Sequence, residues 1–515
     1  MKKYCFHPPK NIIVGTLAAI LWVAVFPFWL LGESTPLNAL VSGEVPLWDT
    51  LTCLTMQDYS NITRAKWDGM LIFTMLTLLL TIPALFRREK RRKLPLMLML
   101  MLLFLLWTGL SCFFGSHAGE MNVWGVPTVL WGSGRYEGFV TIACYGLIFL
   151  CLRRMDANVP ALLTVCSAAV TGYLILVLLQ YAGFNPLSLF PMGRSIRTNY
   201  EFQGTIGNID LVSAWVCLLM PGLLGSFVLG QKHHWLHLPG GLCAILLTLL
   251  MDVQSGLIVL ALTLLALICL ALRQPECLAR LLLTLGLTLL LFALRQAIVL
   301  PWLDISADIE FAPGQVSAVC TLLGVVLVAL APLLMCHPPR PLPRKGLLAL
   351  VCAGLLVALI LVAFLPMPEG GALWEMHELL NGRAQDAFGS ERIGVWRMTL
   401  EMTAQSPWFG LSPDAFYAAF RDYLDATGQT ILQNFDNPHN FFLQTMVNSG
   451  IPAALLLMLT CAAAIAGALR KRETLPLAMM AVGFLMQGMF TFSICLTSPM
   501  FYAVLGLCAA KKAAE

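Results

Sequence analysis

Apolar runs close to 20 residues long recur from one end of this chain to the other, separated mostly by short polar stretches. A run of that length matches a helix crossing a hydrocarbon layer roughly 30 Å thick. Inside lipid the backbone must satisfy its own hydrogen bonds, so recurring runs of this kind point to a bundle of spanning helices. The 515 residues are 58% hydrophobic and only 12% charged, more apolar surface than a soluble core of that length hides. The expected fold class is all-α, a polytopic membrane helical bundle.

About fourteen spans fit, near 11–31, 68–86, 94–113, 136–152, 158–182, 208–229, 238–251, 256–272, 281–300, 314–335, 346–366, 441–469, 475–494 and 499–510. Only residues 252–255 part the seventh from the eighth. With an even number of spans both termini share a side. That side carries 22 of the 32 Lys and Arg, clustered in short loops such as Arg87–Lys93, Arg153–Arg154 and Arg470–Arg472. The excess of basic residues marks it as cytoplasmic. The long loops 32–67, 114–135, 183–207 and 367–440 then face away from the cytoplasm. The chain divides into N-terminal spans with their outer loops (1–130), a middle membrane bundle (131–366), a loop that concentrates polar chemistry (367–440) and C-terminal spans (441–515). Lys2, Lys3 and Lys10 precede the first run, which has no small-residue cleavage site close behind it and reads as an uncleaved span.

Several function classes drop out. The net charge of +4 is small, and no basic run interleaves with aromatics, so no nucleic-acid partner is expected. The 16 Cys are scattered, mostly in apolar spans with only Cys53 in a long polar loop, and form no CxxC pair, which argues against disulfides and zinc. The Pro-rich stretch from His337 reads as a stiff connector.

The loop between the eleventh and twelfth spans holds helical pieces. Arg392 to Gln405 reads as a short amphipathic helix with Ile393, Trp396 and Leu400 as its apolar stripe. Ser406–Pro407 stops it. Ser412, Pro413 and Asp414 form a helix start, with Phe416, Phe420 and Tyr423 on the buried side. Asn437–Pro438–His439 repeats the start signal and sets His439 at the N-terminus of a helix entering the bilayer. Gly450 and Pro452 offer that helix a break. The positive end of a helix disfavours imidazolium and leaves neutral imidazole able to accept a proton, while Asp436 pushes the other way. Read by itself, an interfacial His is a capping or packing residue.

The wider pattern resembles the O-antigen ligase and polysaccharide polymerase superfamily. The residues that carry the resemblance are Arg392, Trp396, Pro407, Gly410, Phe416, His439, Asn440, Leu443, Gln444 and Gly450. Upstream, the segment from Gly204 to Pro221, with Asn208, is similar to the family's Gly-x-x-Gly-Asn opening of a span. Gly134–Gly138 is similar to its Arg-containing turn. The usual Ser-Arg-Gly turn after a middle span reads here as Gln254–Ser255–Gly256, without its Arg.

The resemblance implies a glycosyltransferase in the cytoplasmic membrane. Its donor is a glycan on a polyprenyl-diphosphate carrier, and its acceptor is a hydroxyl on a lipid, polymer or protein. It implies no cofactor and no metal. His439 and Arg392 match the family's functional residues, with Arg135 a further match. Chemically, glycosyl transfer from a diphosphate needs a base for the acceptor hydroxyl and a cation for the leaving group. Arg suits the second because its planar fork binds phosphate oxygens in pairs. His439 and Arg392 are therefore the expected catalytic residues. Arg135, Arg392, Arg397 and Arg295 are the candidates for the diphosphate, with Trp396, Asn440, Gln444 and Asn208 in support. Arg194 and Arg197 suit headgroup contacts, and Tyr136, Glu137 and Glu201 have no assigned role. Ligase, polymerase and protein O-oligosaccharyltransferase all fit these motifs. A flippase of lipid-linked sugars is the competing class, and it predicts inverted halves that the sequence lacks.

Overall fold

A computed structural model of the chain describes residues 10–30, 59–85, 96–122, 125–182, 184, 204–299, 314–336, 340, 343–366, 369–431 and 435–510. Cys53, Arg194, Arg197, Glu201, the basic run 87–93, the terminal lysines at 2, 3, 511 and 512, and much of the Pro-rich connector lie outside the described residues.

Eleven helices longer than two turns precede the polar loop among the described residues: α1 (Lys10–Ile20), α2 (Tyr59–Leu85), α3 (Leu96–Phe114), α4 (Phe139–Leu152), α5 (Val159–Tyr181), α6 (Ile209–Val228), α7 (His234–Met251), α8 (Gln254–Arg273), α9 (Leu278–Val299), α10 (Gly314–Cys336) and α11 (Arg344–Phe364). The loop carries α12 (Ala372–Leu380), α13 (Arg392–Gln405) and α14 (Phe416–Thr427). It is followed by α15 (Phe441–Leu469), α16 (Leu475–Gln487) and α17 (Ser498–Cys508). Nine helical stretches among the described residues are long and apolar enough to cross a membrane, and five further apolar helices are shorter. This is a multi-pass helical membrane protein.

The bundle is organised around α6, whose residues from Leu211 to Val228 are all buried. A helix that is apolar all round belongs in the middle of a bundle. Small residues let its neighbours come close: a Cβ on Gly222 would sit 2.4 Å from Met480, and one on Gly483 of α16 would sit 2.3 Å from the Cys217 carbonyl. By contrast α10 and α11 turn apolar side chains outward, with Leu322 66% and Leu356 58% exposed, as lipid allows.

Three expected boundaries are corrected. The second span was expected from residue 68, but α2 begins at Tyr59 and takes in Arg64 and Lys66. Lys66 is buried, and its Nζ donates to the carbonyls of Phe26 (2.9 Å) and Pro27 (2.7 Å). Those carbonyls lie where the first helix ends in a π turn and a 3-10 turn. The second correction is at α14, which starts at Phe416 rather than at the Ser412 signal because the Asp414 carboxylate is engaged elsewhere. The thirteenth span was expected to reach 494. It ends at Gln487, and residues 488–497 fold back as a loop held by the side chains of Asn440, which caps α15, and Gln444 in its first turn.

Candidate active site

The long helix α15 is broken at Gly450, whose φ of 86° and ψ of 164° are not helical, as the Gly450–Pro452 signal led one to expect. The break leaves carbonyls to satisfy, because Pro452 has no N–H for the Asn448 oxygen. The strip from Pro407 to Ser412 fills the gap. Leu411 N donates to Val447 O (2.8 Å), Ser412 N donates to Asn448 O (2.9 Å), and Ile451 N donates back to Pro407 O (2.9 Å). The Ser111 hydroxyl donates to both Phe409 O (2.6 Å) and Asn448 O (3.1 Å). Contact this close requires glycine. A Cβ on Gly450 would stand 2.0 Å from Trp408 O, and one on Gly410 would stand 2.4 Å from Val447 O. The Pro-x-x-Gly of the loop and the Gly at the kink are thus two halves of one joint. It fixes the polar loop onto the membrane bundle.

A second joint runs through Asp414. One of its carboxylate oxygens accepts from Ser133 N (2.5 Å), Ser133 Oγ (2.9 Å) and Glu137 N (3.2 Å). Burial pushes this carboxyl up to about 6, against the pull of those donors. The turn it grips carries Arg135, with Tyr136 at φ 58°. The turn is closed so tightly that a Cβ on Gly138 would strike Leu130 O at 2.4 Å. Arg135 Nε meets Asp436 Oδ2 at 2.5 Å, and its guanidinium lies 5.2 Å from the centre of the Phe492 ring.

His439 stands just outside α15. Its φ is +47°, and the cap of the helix is Asn440, not Asn437. Asn440 Oδ1 accepts from Phe442 N (3.1 Å) and Leu443 N (3.0 Å). Asn437 instead accepts from His439 N (2.9 Å), which shapes the turn. The imidazole is half-buried between the rings of Phe435 (5.3 Å) and Phe492 (5.1 Å), both edge-on. Nδ1 lies 3.2 Å from Asn437 O, so Nδ1 donates and Nε2 keeps its lone pair. Burial, then the Arg392 guanidinium, hold this imidazole down to about 4, with Asp436 and Asn437 O opposing and Arg135 reinforcing. The ring is neutral at neutral pH, with burial the largest cause.

Arg392 opens α13. Its Nη1 donates to Gly389 O (2.9 Å), and its Nε is buried with no hydrogen-bond partner among the described residues. It lies in electrostatic reach of both His439 and Asp210, at the start of α6. The apolar stripe expected on α13 is corrected. Leu400 is 51% exposed, and the buried face is Val395, Met398 and Met402, which pack on Phe416, Phe420 and Tyr423 of α14. Trp396 points to the neighbouring face, where its Nε1 donates to Pro438 O (2.9 Å) and so holds the backbone next to His439.

The remaining candidates separate. Asn440 and Gln444 hold the 488–497 loop: Asn440 Nδ2 donates to Met489 O (3.0 Å), Gln444 Nε2 to Ser493 O (3.2 Å), and Ser493 N to Gln444 Oε1 (2.6 Å). That loop delivers Phe492 to His439 and Arg135. Asn208 caps α6, accepting from Asp210 N (2.8 Å) and Leu211 N (3.3 Å). Arg397 lies on the surface in ion pairs with Asp386 (2.7 Å) and Glu401 (3.2 Å). Arg295 pairs with Asp252 (2.8 Å) at the turn between α7 and α8. The structure thus gathers His439, Arg392 and Arg135 and leaves Arg397 and Arg295 in pairs of their own. Sequence reasoning missed Asp414, read as a first-turn acid, and Phe492, read as part of a span.

A family model described as O-antigen ligase matches residues 317–458, from within α10 to just past the kink of α15. The match takes in Arg392, Trp396, His439 and Asn440 but not Arg135. No curated protein matches the chain. With the helical membrane bundle around it, the matched segment supports a place for this chain in the O-antigen ligase and polymerase superfamily.

Proposed function

We propose that this protein is a membrane glycosyltransferase that moves a glycan from a polyprenyl-diphosphate carrier to an acceptor hydroxyl, at the outer face of the cytoplasmic membrane. The observation that carries the reading is one neutral imidazole, its Nε2 without a partner among the described residues, under the field of two guanidinium groups. His439 Nε2 takes the proton of the acceptor hydroxyl as the acceptor oxygen bonds to the anomeric carbon. The bond from that carbon to the diphosphate breaks, and the diphosphate leaves with the electron pair. Arg392 binds its oxygens through the guanidinium N–H groups that Gly389 O does not take, and Arg135 exchanges Asp436 for phosphate. An apolar groove of about 480 Å³ along α16, lined by Pro221, Val259, Thr263, Ala266, Gly483 and Met486 among others, suits the isoprenoid tail of the carrier.

The test is transfer by purified protein in lipid nanodiscs, from a synthetic polyprenyl-diphosphate glycan, with a chelator present. His439→Ala is expected to lose at least roughly a thousandfold in turnover while remaining folded. Full activity in that variant sinks the assignment, and loss of wild-type turnover with chelator sinks its metal independence. In cells, long chains left on the carrier after deletion mark a ligase, and single repeats mark a polymerase.

A further inference from the structure

Three residues in a row, Gly389 (φ 64°), Ser390 (φ 57°) and Glu391 (φ 64°), take the left-handed conformation immediately before Arg392. Two of them are not glycine, and such backbone persists only where its surroundings hold it. We propose that α12 holds this turn: seated in lipid by its apolar face, it grips the turn through Glu375, which is a positioning residue for Arg392. The role rests on the proposed glycosyl transfer.

The chain of contacts from α12 to the guanidinium is short. Glu375 Oε2 accepts from Gly389 N (3.0 Å), and Gly389 O accepts from Arg392 Nη1 (2.9 Å). One glycine thus stands between the two side chains. Anchoring Nη1 on that carbonyl fixes where the guanidinium points, with its Nε buried and without a partner among the described residues. Next to Glu375, the Trp374 ring meets the ring of buried Phe388 edge-on at 5.4 Å.

The helix that carries these grips is amphipathic the wrong way round for water. At about 3.6 residues per turn, Leu373, Met376, Leu379 and Leu380 share one side of α12, and all four are exposed. Trp374, Glu375, His377 and Glu378 share the other side and turn to the protein. There Glu378 pairs with Arg383 (2.6 Å). His377 Nδ1 donates to Val362 O (2.8 Å), and Asn381 Nδ2, just past the helix, donates to Ala363 O (3.1 Å). An outer face that is wholly apolar, backed by charged groups, suits lipid and not water. The occupant follows from the place of the helix. Seven residues, 365–371, part α12 from α11, and the bonds to Val362 and Ala363 pin it to the end of that spanning helix. The apolar face of α12 therefore continues the exposed apolar side of α11, and the bilayer around α11 covers both.

The experiment is donor kcat/KM in lipid nanodiscs for Glu375→Gln, Glu375→Ala and Glu375→Asp, with E375A also combined with Arg392→Gln. Glutamine keeps the reach and an acceptor oxygen, so E375Q should stay within roughly twofold of wild type. Alanine and the shorter aspartate should each lose at least roughly tenfold. In the R392Q background no guanidinium remains to be aimed, and E375A should cost roughly twofold or less. A folded E375A or E375D with wild-type kcat/KM overturns the proposal, and so does an E375A loss that adds in full to that of R392Q. The lipid seat is read in nanodiscs with a membrane-impermeant maleimide, against the wild-type background. Leu380→Cys, in lipid, should react at least roughly tenfold slower than Gln385→Cys on the exposed turn. Equal rates overturn the seat, whether or not a Glu375 variant folds. His439→Ala separates the two ideas: full turnover there sinks the transfer reading, and additive losses at Glu375 and Arg392 sink this one alone.

Discussion

Two arginines five positions apart on α13 have opposite surroundings. Arg397 is 46% exposed and lies between Asp386 and Glu401. Arg392 is half-buried, gives one hydrogen bond to a carbonyl, and has no carboxylate pairing with it among the described residues. A guanidinium neutralised at the surface gains little from another anion. One half-buried, with the Asp210 carboxylate in electrostatic reach but not paired with it among the described residues, gains more when an anion arrives. The inward face of this helix thus suits the anion site of the proposed transfer, and the outward face is a solvated surface.

The comparison breaks most easily at Arg392 itself. Lysine keeps the charge and loses the fork, so Arg392→Lys is expected to cut kcat/KM by at least roughly a hundredfold. Arg397→Lys should stay within roughly twofold. Equal losses from the two in the nanodisc transfer assay would mean that the two faces do not differ in kind.

A smaller effect sharpens the same contrast. His439 must be unprotonated to act as a base, so the rate falls as pH drops through its folded-state value. That value is about 4 against an ordinary 6.5, and the acid limb of kcat/KM should follow it down. Arg392 is the second cause of the depression after burial. The residual activity of Arg392→Gln should therefore show an acid limb displaced upward, and Arg397→Gln should leave the limb in place. Stability obeys the matching sign. Between 6.5 and about 4 the unfolded chain binds a proton at His439 that the folded chain refuses. Acid therefore favours unfolding across that window, and the effect is absent above it.

Much of the membrane portion was legible because lipid enforces its rule residue by residue: an apolar run is a span wherever it falls. The ends were less so, since α2 starts early for the sake of Lys66 and α16 stops early for the sake of Asn440 and Gln444. In the loop, the helix Arg392–Gln405 was readable with its bounds, but its buried side was not. Ile393, Trp396 and Leu400 share the spacing of Val395, Met398 and Met402, and only α14 decides between the stripes. The kink at Gly450 was visible as glycine and proline. Its partner strip Pro407–Ser412, with Pro407 and Gly410 already singled out by the resemblance, gave no sign of where it would dock. Asp414 carried a familiar helix-start signal, and a turn 277 to 281 residues away took its carboxylate instead. Local pattern names the residues of such a site, and long-range pairing assigns their duties.

The outward face supplies the smallest prediction and the most demanding control. Arg397 and its two acids are all substantially exposed, and one of the pairs is an i,i+4 contact along the helix. Exposed pairs of this sort contribute no more than about 1 kcal/mol and weaken with salt. Arg397→Gln should therefore shift the melting midpoint slightly, lose even that shift at high salt, and leave donor KM unchanged. A donor KM that rises several-fold in this variant would show that the surface arginine meets the anionic carrier, and the two faces of α13 would then be stages of one anion path.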